Sequence, residues 1–497
     1  MRGAIEAPWA SWRGRVAAAI VAVFALAAAW GPAGAAGATR PLATGLGGVY
    51  DPGAFQRVKE TGSRFVRLSI DWSSVAPEAP PASWDPRNPA EPSYDWHWGD
   101  RVIPEAVAAG LTPVVLIESA PLWAQRCQPP PNVQLVPFCD PDPAALEAFA
   151  EAAARRYSGA FGNLPRVRYW QGMNEPNLSL FFYPQFGPSS AVSPALYRRL
   201  INAFYAGVKS VYRSNLVVAA GLGPIAVPKW TIGPMSFTRQ LFCMRSNTRP
   251  KKGNCGGGAR FDIFAIHPYT TGGPTHTGGV NDVQLGDLAK LRGLLDAADR
   301  AGRIKGAFKR TPLWVTEFSW DTNPPDPGGL PMKLESRWIA EALHGAWRDG
   351  ASAFFWFGLR DLPRPLGAPF SETAESGLYF RGATIAEDQP KEILYAFRFP
   401  FVAYARRRGA PALDFWGRTP NSKGGQVAIQ ARRGGKWRRI AVVRADRVGI
   451  FRGRVRSGYG RGAKGEVRAV YRGEATIPFS MRRVADFRHP PFGKPVG

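Results

Sequence analysis

The chain is predicted to fold as a (β/α)8 TIM barrel followed by a small all-β sandwich, on three observations. Eight short hydrophobic runs fall between residues 42 and 400. Amphipathic helical stretches separate them, and strands alternating with helices imply a parallel sheet. Eight such units over about 350 residues suit a closed barrel with long loops better than an open doubly wound sheet. After residue 405 the pattern changes to apolar–polar alternation, with Gly, Asn and Asp turns every 8–14 residues. That is the pattern of antiparallel sheets buried on one face.

The eight strand candidates, in order, are 45–50, 64–70, 112–118, 167–173, 216–222, 261–266, 313–317 and 353–358. Each is a run of four to seven residues, rich in branched or aromatic side chains, that ends at a polar or turn residue. Asp142-Pro143 opens a helix with an N-cap and a proline at the first helical position, and Ser193-Pro194 repeats the device. Gly302 and Gly350 follow helices expected at 287–301 and 334–349, where a left-handed C-terminal residue is wanted. A further helix is expected over 391–405, which places the barrel at 42–404 and the sandwich at 405–497. The proline-rich stretches 76–92 and 321–331 read as barrel loops.

The first 35 residues read as a signal peptide. Arg2, Arg13 and Arg15 precede 15 unbroken apolar residues, 16–30, and Ala33-Gly34-Ala35 is a cleavage-site pattern. A spanning helix needs about 20 apolar residues, so an uncleaved anchor is the second reading. Export is the expectation, with no stable membrane span once the signal is removed. Cysteine usage agrees: Cys127 and Cys139 are 12 apart, and so are Cys243 and Cys255. Three connectivities exist; the two local pairs are expected, because each would tie down a Pro- or Gly-rich loop. The spacing is not that of a metal site, and only five histidines exist to help. No metal or cofactor is expected.

The net charge of +26 is lopsided. Residues 401–497 hold 23 Lys and Arg against 5 Asp and Glu. One explanation is arginine supplied by GC-rich coding. The other is attraction of the C-terminal domain to anionic cell-envelope polymers. Nucleic acid is not expected as a partner, since no reading motif is present.

In a (β/α)8 barrel chemistry sits at the C-terminal ends of the strands. The second candidate strand presents Arg67 and Trp72, and the third ends at Glu118 with Trp123 beyond it. The fourth ends at Asn174-Glu175, the sixth at His267-Pro268-Tyr269, the seventh at Glu317, and the eighth carries Trp356. Charged groups are almost never buried unpaired. Two glutamates in the same context, at 175 and 317, therefore suggest a pair brought together by the fold, the equipment for glycoside hydrolysis. Carboxylates, amides and aromatic faces together suit a carbohydrate, which has hydroxyl edges and C–H faces.

Asn-Glu-Pro after the fourth strand, His-x-Tyr after the sixth, a glutamate ending the seventh and a tryptophan on the eighth resemble glycoside hydrolase clan A, families five and thirty-nine in particular. YDW (94–96), APLWA (120–124) and HPY add detail, and the resemblance covers about residues 42–400. It implies a retaining hydrolase with Glu175 as general acid/base and Glu317 as nucleophile. Asn174 would bond the sugar 2-hydroxyl, Arg67 and Tyr269 would orient Glu317, and Trp356 would floor the −1 subsite. His267 would serve the site or satisfy backbone groups, and Arg67 has a purely structural alternative. Trp72 and Trp123 read equally as sugar platforms or as packing. Glu118 has no role beyond a salt bridge to Arg67. TEFSW puts serine where glycine is commoner after the nucleophile strand. Two other functions remain open on the sequence: a non-catalytic barrel that binds glycan or envelope, and a wall-remodelling transglycosylase using the same covalent intermediate.

Overall fold

The computed structural model describes residues 40–481 except 52, 129–136, 254, 366–368, 371–373, 406–411 and 457–464. The expected signal segment, residues 1–35, lies outside the described residues. Eight parallel strands close a barrel: β1 Ala43–Gly47, β2 Phe65–Asp71, β3 Thr112–Glu118, β4 Tyr169–Gly172, β5 Leu216–Leu222, β6 Ile263–Ile266, β7 Leu313–Val315 and β8 Ala351–Phe357. Sequence neighbours pair throughout, and β8 closes on β1 with Ala43 opposite Ala353 and Gly47 opposite Phe357. All eight expected strands are present, β3 and β5 with the expected bounds and the others with ends shifted by at most three residues.

Strand alternation divides each strand's side chains between the barrel axis and the helix layer. Phe65, Tyr169, Trp314 and Phe355 point inward and fill the barrel below the site, with Phe65 lying 5.1–5.8 Å from each of the other three rings. Gly45 makes room for them: a Cβ there would sit 2.6 Å from the Phe355 ring. This plug is the floor on which the site rests. Trp314→Ala is expected to cost about 3–5 kcal/mol, the range for emptying a large aromatic from a core. Urea unfolding of the variant against the parent measures it, and a loss below about 1 kcal/mol would mean that the plug collapses around the gap.

The outer helices include α1 His97–Ala108, α2 Pro143–Arg156, α3 Ser193–Val211, α4 Leu288–Arg300 and α5 Met332–Arg348. Asp142 caps α2 by accepting from the Ala144 N–H at 2.7 Å, as its sequence predicts. Ser193 does not repeat the device. It lies inside α3 and donates its hydroxyl to Gln185 Oε1 at 2.8 Å, while Val192 takes the cap position. Gly302 and Gly350 follow α4 and α5 in the left-handed region, at φ 64° and 115°.

The helix expected over 391–405 is shorter. Helix α6, Glu392–Arg398, gives way before Pro400, and Phe401–Ala405 is a strand, β9. Proline removes a backbone donor and disfavours a helical residue before it. The sandwich therefore starts at Phe401 rather than 405. β9 pairs with β10 Ala412–Arg418, and β10 with β13 Ile450–Arg456. The second sheet is built on β11 Gly425–Arg433, between β12 Lys436–Ala445 and β14 Glu466–Tyr471. All pairings are antiparallel. Trp416 packs against His344 and Trp347 of α5 at 5.2 and 5.7 Å, so barrel and sandwich share one core and belong to one compact unit, Pro41–Gly497.

Cys127 and Cys139 form the expected bridge, and Cys243 is also disulfide-bonded. The side chain of Cys255 lies outside those described. Among the described residues no helix is long and apolar enough to cross a membrane.

Candidate active site

The inward row of each strand carries from the plug up into the site. On β2 the row Phe65, Arg67, Ser69 places Arg67 directly above the plug, and on β4 the row Tyr169, Gln171 does the same for Gln171. Arg67 is buried, and each of its three guanidinium nitrogens has a partner. Nε donates to Gln171 Oε1 at 2.9 Å, Nη2 to Asn174 Oδ1 at 2.7 Å, and Nη1 to Glu317 Oε2 at 3.1 Å. Glu118 is not its partner, contrary to the sequence expectation. With Oδ1 occupied by Arg67, the amide NH2 of Asn174 is the part left to donate into the groove.

Beyond β4 the chain turns sharply, with Met173 and Glu175 both left-handed at φ 67° and 41°. For residues with a Cβ this costs on the order of 1–2 kcal/mol each. The Glu175 N–H bonds the Gly221 carbonyl at 3.2 Å and Leu178 N–H bonds the Glu175 carbonyl at 2.9 Å, which holds the turn. The result is a buried Glu175 carboxyl.

His267 follows β6, is fully buried, and lies close to both glutamates. Its Nδ1 shares a 2.8 Å hydrogen bond with Glu175 Oε1 and lies 3.8 Å from Glu317 Oε2, while Nε2 shares one of 3.1 Å with Thr316 Oγ1. Laid end to end, 2.8 and 3.8 Å cap the distance between those two carboxyl oxygens at 6.6 Å. Burial pushes the His267 pKa down to about 3, against a pull upward from Glu317, so the imidazole is neutral near pH 7. Its contact with Glu175 is thus a hydrogen bond and not an ion pair.

Glu175 and Glu317 have different surroundings. Burial pushes the Glu175 pKa up to about 8, and Arg67 draws it part of the way back. Burial, rather than repulsion from Glu317, is the cause. Glu317 accepts from Arg67 and from the Tyr269 hydroxyl, the latter at 3.0 Å. Burial first, and the Glu317 charge second, hold the Tyr269 pKa well above its ordinary value, so Tyr269 stays a donor. Ser319, the departure from the commoner glycine, bonds the Tyr269 side chain.

Above Glu317 lies a groove of about 580 Å3, within the roughly 300–1,000 Å3 of small-ligand sites. Arg67, Asn174 and Glu317 reach it, and Tyr50, Trp98, Phe181 and Phe357 supply aromatic surface. Tyr50 is 58% exposed. Asp71, Asp95 and Glu118 add carboxylates, Asp71 and Glu118 being register partners at the tops of β2 and β3. Among the described residues no group of His, Cys, Asp or Glu is placed to hold a metal ion.

The three tryptophans considered for the site are elsewhere, Trp72 and Trp123 taking the packing alternative. Trp356 is 0% exposed and donates its indole N–H to Ser376 O at 2.7 Å, so its ring has no face free for a sugar. Phe355 and Phe357 take the inward positions on β8, which sends Trp356 to the helix layer against Phe397. Trp72 is buried and stacked on Phe149 at 5.2 Å. Trp123 is half-buried, donates to Pro77 O at 2.9 Å, and meets Trp72 edge-on. Phe357, one position along from Trp356, is the aromatic that β8 gives the groove.

A family 39 glycoside hydrolase from the gut symbiont Bacteroides cellulosilyticus WH2 superposes with a TM-score of 0.52 at 16% identity, over 84% of this chain and 81% of that one. This chain shares its fold. A family 39 β-xylosidase from Caulobacter crescentus matches at TM-score 0.48 and 16% identity, over 80% of this chain and 84% of that one. A glucosidase from Croceicoccus marinus matches at 0.46 and 14%, over 88% and 98%. No family model matches the chain, and no curated protein matches its sequence.

Sequence reasoning missed Gln171, Thr316, Tyr50, Trp98 and Phe357. Gln171 was findable: it is a polar residue inside a buried strand, two positions from the inward Tyr169. Trp98 lies in the first turn of α1 and Tyr50 just beyond the end of β1, so strand parity marks the direction of neither.

Proposed function

We propose that the protein is an exported retaining β-glycoside hydrolase with Glu175 as general acid/base and Glu317 as nucleophile. The observation that carries this reading is the pair of carboxyls within reach of one neutral histidine, one held protonated by burial and the other held by a guanidinium and a phenol. Retaining enzymes place the carboxyls about 5–5.5 Å apart and inverting ones about 6.5–9.5 Å. The 6.6 Å cap on one pair of carboxyl oxygens is compatible with the retaining separation. In the first step Glu317 attacks the anomeric carbon from below while Glu175 gives its proton to the leaving oxygen. The C–O bond to the leaving group breaks and an ester to Glu317 forms. Esterification removes the Glu317 charge, so the Arg67 guanidinium acts on Glu175 uncompensated and lowers its pKa. Glu175 then takes a proton from water, which displaces the sugar. The Asn174 NH2 donates to the oxygen of the sugar 2-hydroxyl and positions that hydroxyl beside the anomeric carbon. Export is supported by the signal-like first 35 residues and by the Cys127–Cys139 bridge, since disulfides persist in oxidising compartments.

The groove supports a neutral glycone. Asp71, Asp95, Glu118 and Glu317 face it against one guanidinium, Arg67, already bonded to Glu317. A uronic acid would meet like charge, whereas hydroxyls can donate to these carboxylates. Hydrolysis of 4-nitrophenyl β-glycosides tests the activity, and nuclear magnetic resonance of the first-formed anomer tests retention: the β product is expected, and the α product would refute it. Glu118→Gln is expected to lower kcat/KM on the best neutral glycoside by about 10–100-fold, the scale of one charged hydrogen bond. The matched uronide should lose less, so the ratio between the two substrates moves toward the uronide. A parent enzyme that prefers uronides would contradict this reading.

A further inference from the structure

The second sheet of the sandwich has a face that neither its own core nor the active-site chemistry uses. Strand parity defines it: Val427, Ile429 and Ala431 on β11 are buried, so the alternate residues of β11 and their register partners point outward. Those partners place Arg439 opposite Gln430, Trp437 opposite Arg432, Arg444 opposite Gln426, and Arg468 on the far side of Gln430. The face therefore carries four arginines on three adjacent strands, with Glu466 the one acid in these paired positions.

The guanidiniums are set rather than loose. Arg468 donates from Nε to Gln430 Oε1 at 2.8 Å and lays its guanidinium 4.3 Å from the Trp437 ring centre. Arg432 reaches the same ring at 6.0 Å and bonds Glu466 at 2.8 Å. Arg439 and Arg444 are exposed on the neighbouring strand. Strands about 4.8 Å apart put Arg439, Gln430 and Arg468 in a row across the sheet. Planar guanidiniums in such a row match carboxylate or phosphate oxygens two at a time.

We propose that this face binds an anionic polysaccharide and holds the protein on it. Charge complementarity is the argument for the occupant, and two features select a polysaccharide over a lipid bilayer. The indole that would insert into a bilayer is covered by Arg468, and among the described aliphatics of the face, Val442, Val470 and Ala428, Val442 alone is exposed. The glutamine amides among the arginines suit the hydroxyls of a sugar chain. The acidic groove would repel the same polymer, so anchoring and turnover act on different sugars. This inference stands whether or not the groove is a glycosidase site.

The test uses the full chain and polygalacturonate, with neutral dextran and vesicles of phosphatidylglycerol as comparators. Affinity electrophoresis at low salt should show retardation by polygalacturonate and none by dextran, lost by about 0.5 M salt, where the screening length is under half its value at 0.1 M. R439E/R444E/R468E should weaken polygalacturonate binding at least about tenfold. K251E/R300E/K309E, an equal change of charge on exposed barrel positions, should weaken it less than about twofold. R439Q/R444Q replaces the triple variant if circular dichroism shows the latter misfolded, and should also weaken binding measurably. The proposal is overturned by absence of retardation, by an equal loss in the barrel variant, or by tighter binding to the vesicles than to the polymer.

Discussion

Glu317→Gln is expected to reduce kcat by about 10^4-fold or more, the scale on which enzymes lose activity when a nucleophile is removed. The side chain keeps its size, and its amide oxygen can still accept from Arg67 or Tyr269, so the loss reports chemistry and not collapse. Glutamine cannot form the ester on which both steps depend. Glu317→Ala opens space beneath the anomeric carbon, where added azide can attack directly. A single inversion then converts a β-glycoside to an α-glycosyl azide. Residual activity within about 100-fold of the parent would remove Glu317 from the nucleophile's role.

Glu175→Ala should separate the two steps. Glycosides with a good leaving group need no proton and should still form the covalent intermediate, but water then lacks its base. Turnover is expected to fall by about 10^2–10^4-fold, the usual contribution of a general acid or base. Azide needs no deprotonation and should restore rate, giving a β-glycosyl azide through two inversions. The pH profile carries the sign. The parent requires the protonated carboxyl, whose pKa is raised to about 8, so kcat/KM should hold up to that pH and fall as pH rises through it. In Glu175→Ala with a good leaving group that basic limb should vanish. A basic limb that persists would belong to another group, Tyr269 or Tyr50 being the nearest whose pKa values are raised.

Most of the barrel could be read from the sequence because burial on both sides of a parallel strand leaves a continuous hydrophobic run. The residues that end those runs were legible for the same reason: Arg67, Asn174, Glu175, His267, Tyr269 and Glu317 all meet where the strand order places them. Trp356 was misplaced because an apolar run hides its own parity. In AFFWFG every position is large and apolar, so nothing in the string tells which rings face the axis. The barrel plug decides it by taking Phe355, which sends Phe357 to the groove and Trp356 outward. Trp72 was left open between sugar platform and packing for a related reason: the turn after β2 carries it to Phe149 of α2, and a strand count cannot follow a turn. The end of the barrel was misjudged at Pro400, where a helical apolar pattern runs into a proline and continues as strand β9. The origin of the raised Glu175 pKa was out of reach, since burial of one carboxyl depends on the left-handed turn at Met173 and Glu175.

The paired glutamates are tested most directly by trapping the intermediate. A 2-deoxy-2-fluoro-β-glycosyl fluoride matched to the best substrate should inactivate the enzyme with a mass increase of one glycosyl group. Peptide mapping should place that group on Glu317. The same reagent should leave Glu317→Gln unmodified. Attachment to any other residue, or turnover of the reagent with release of the α-anomer and no adduct, would contradict the double displacement and the roles given to Glu175 and Glu317.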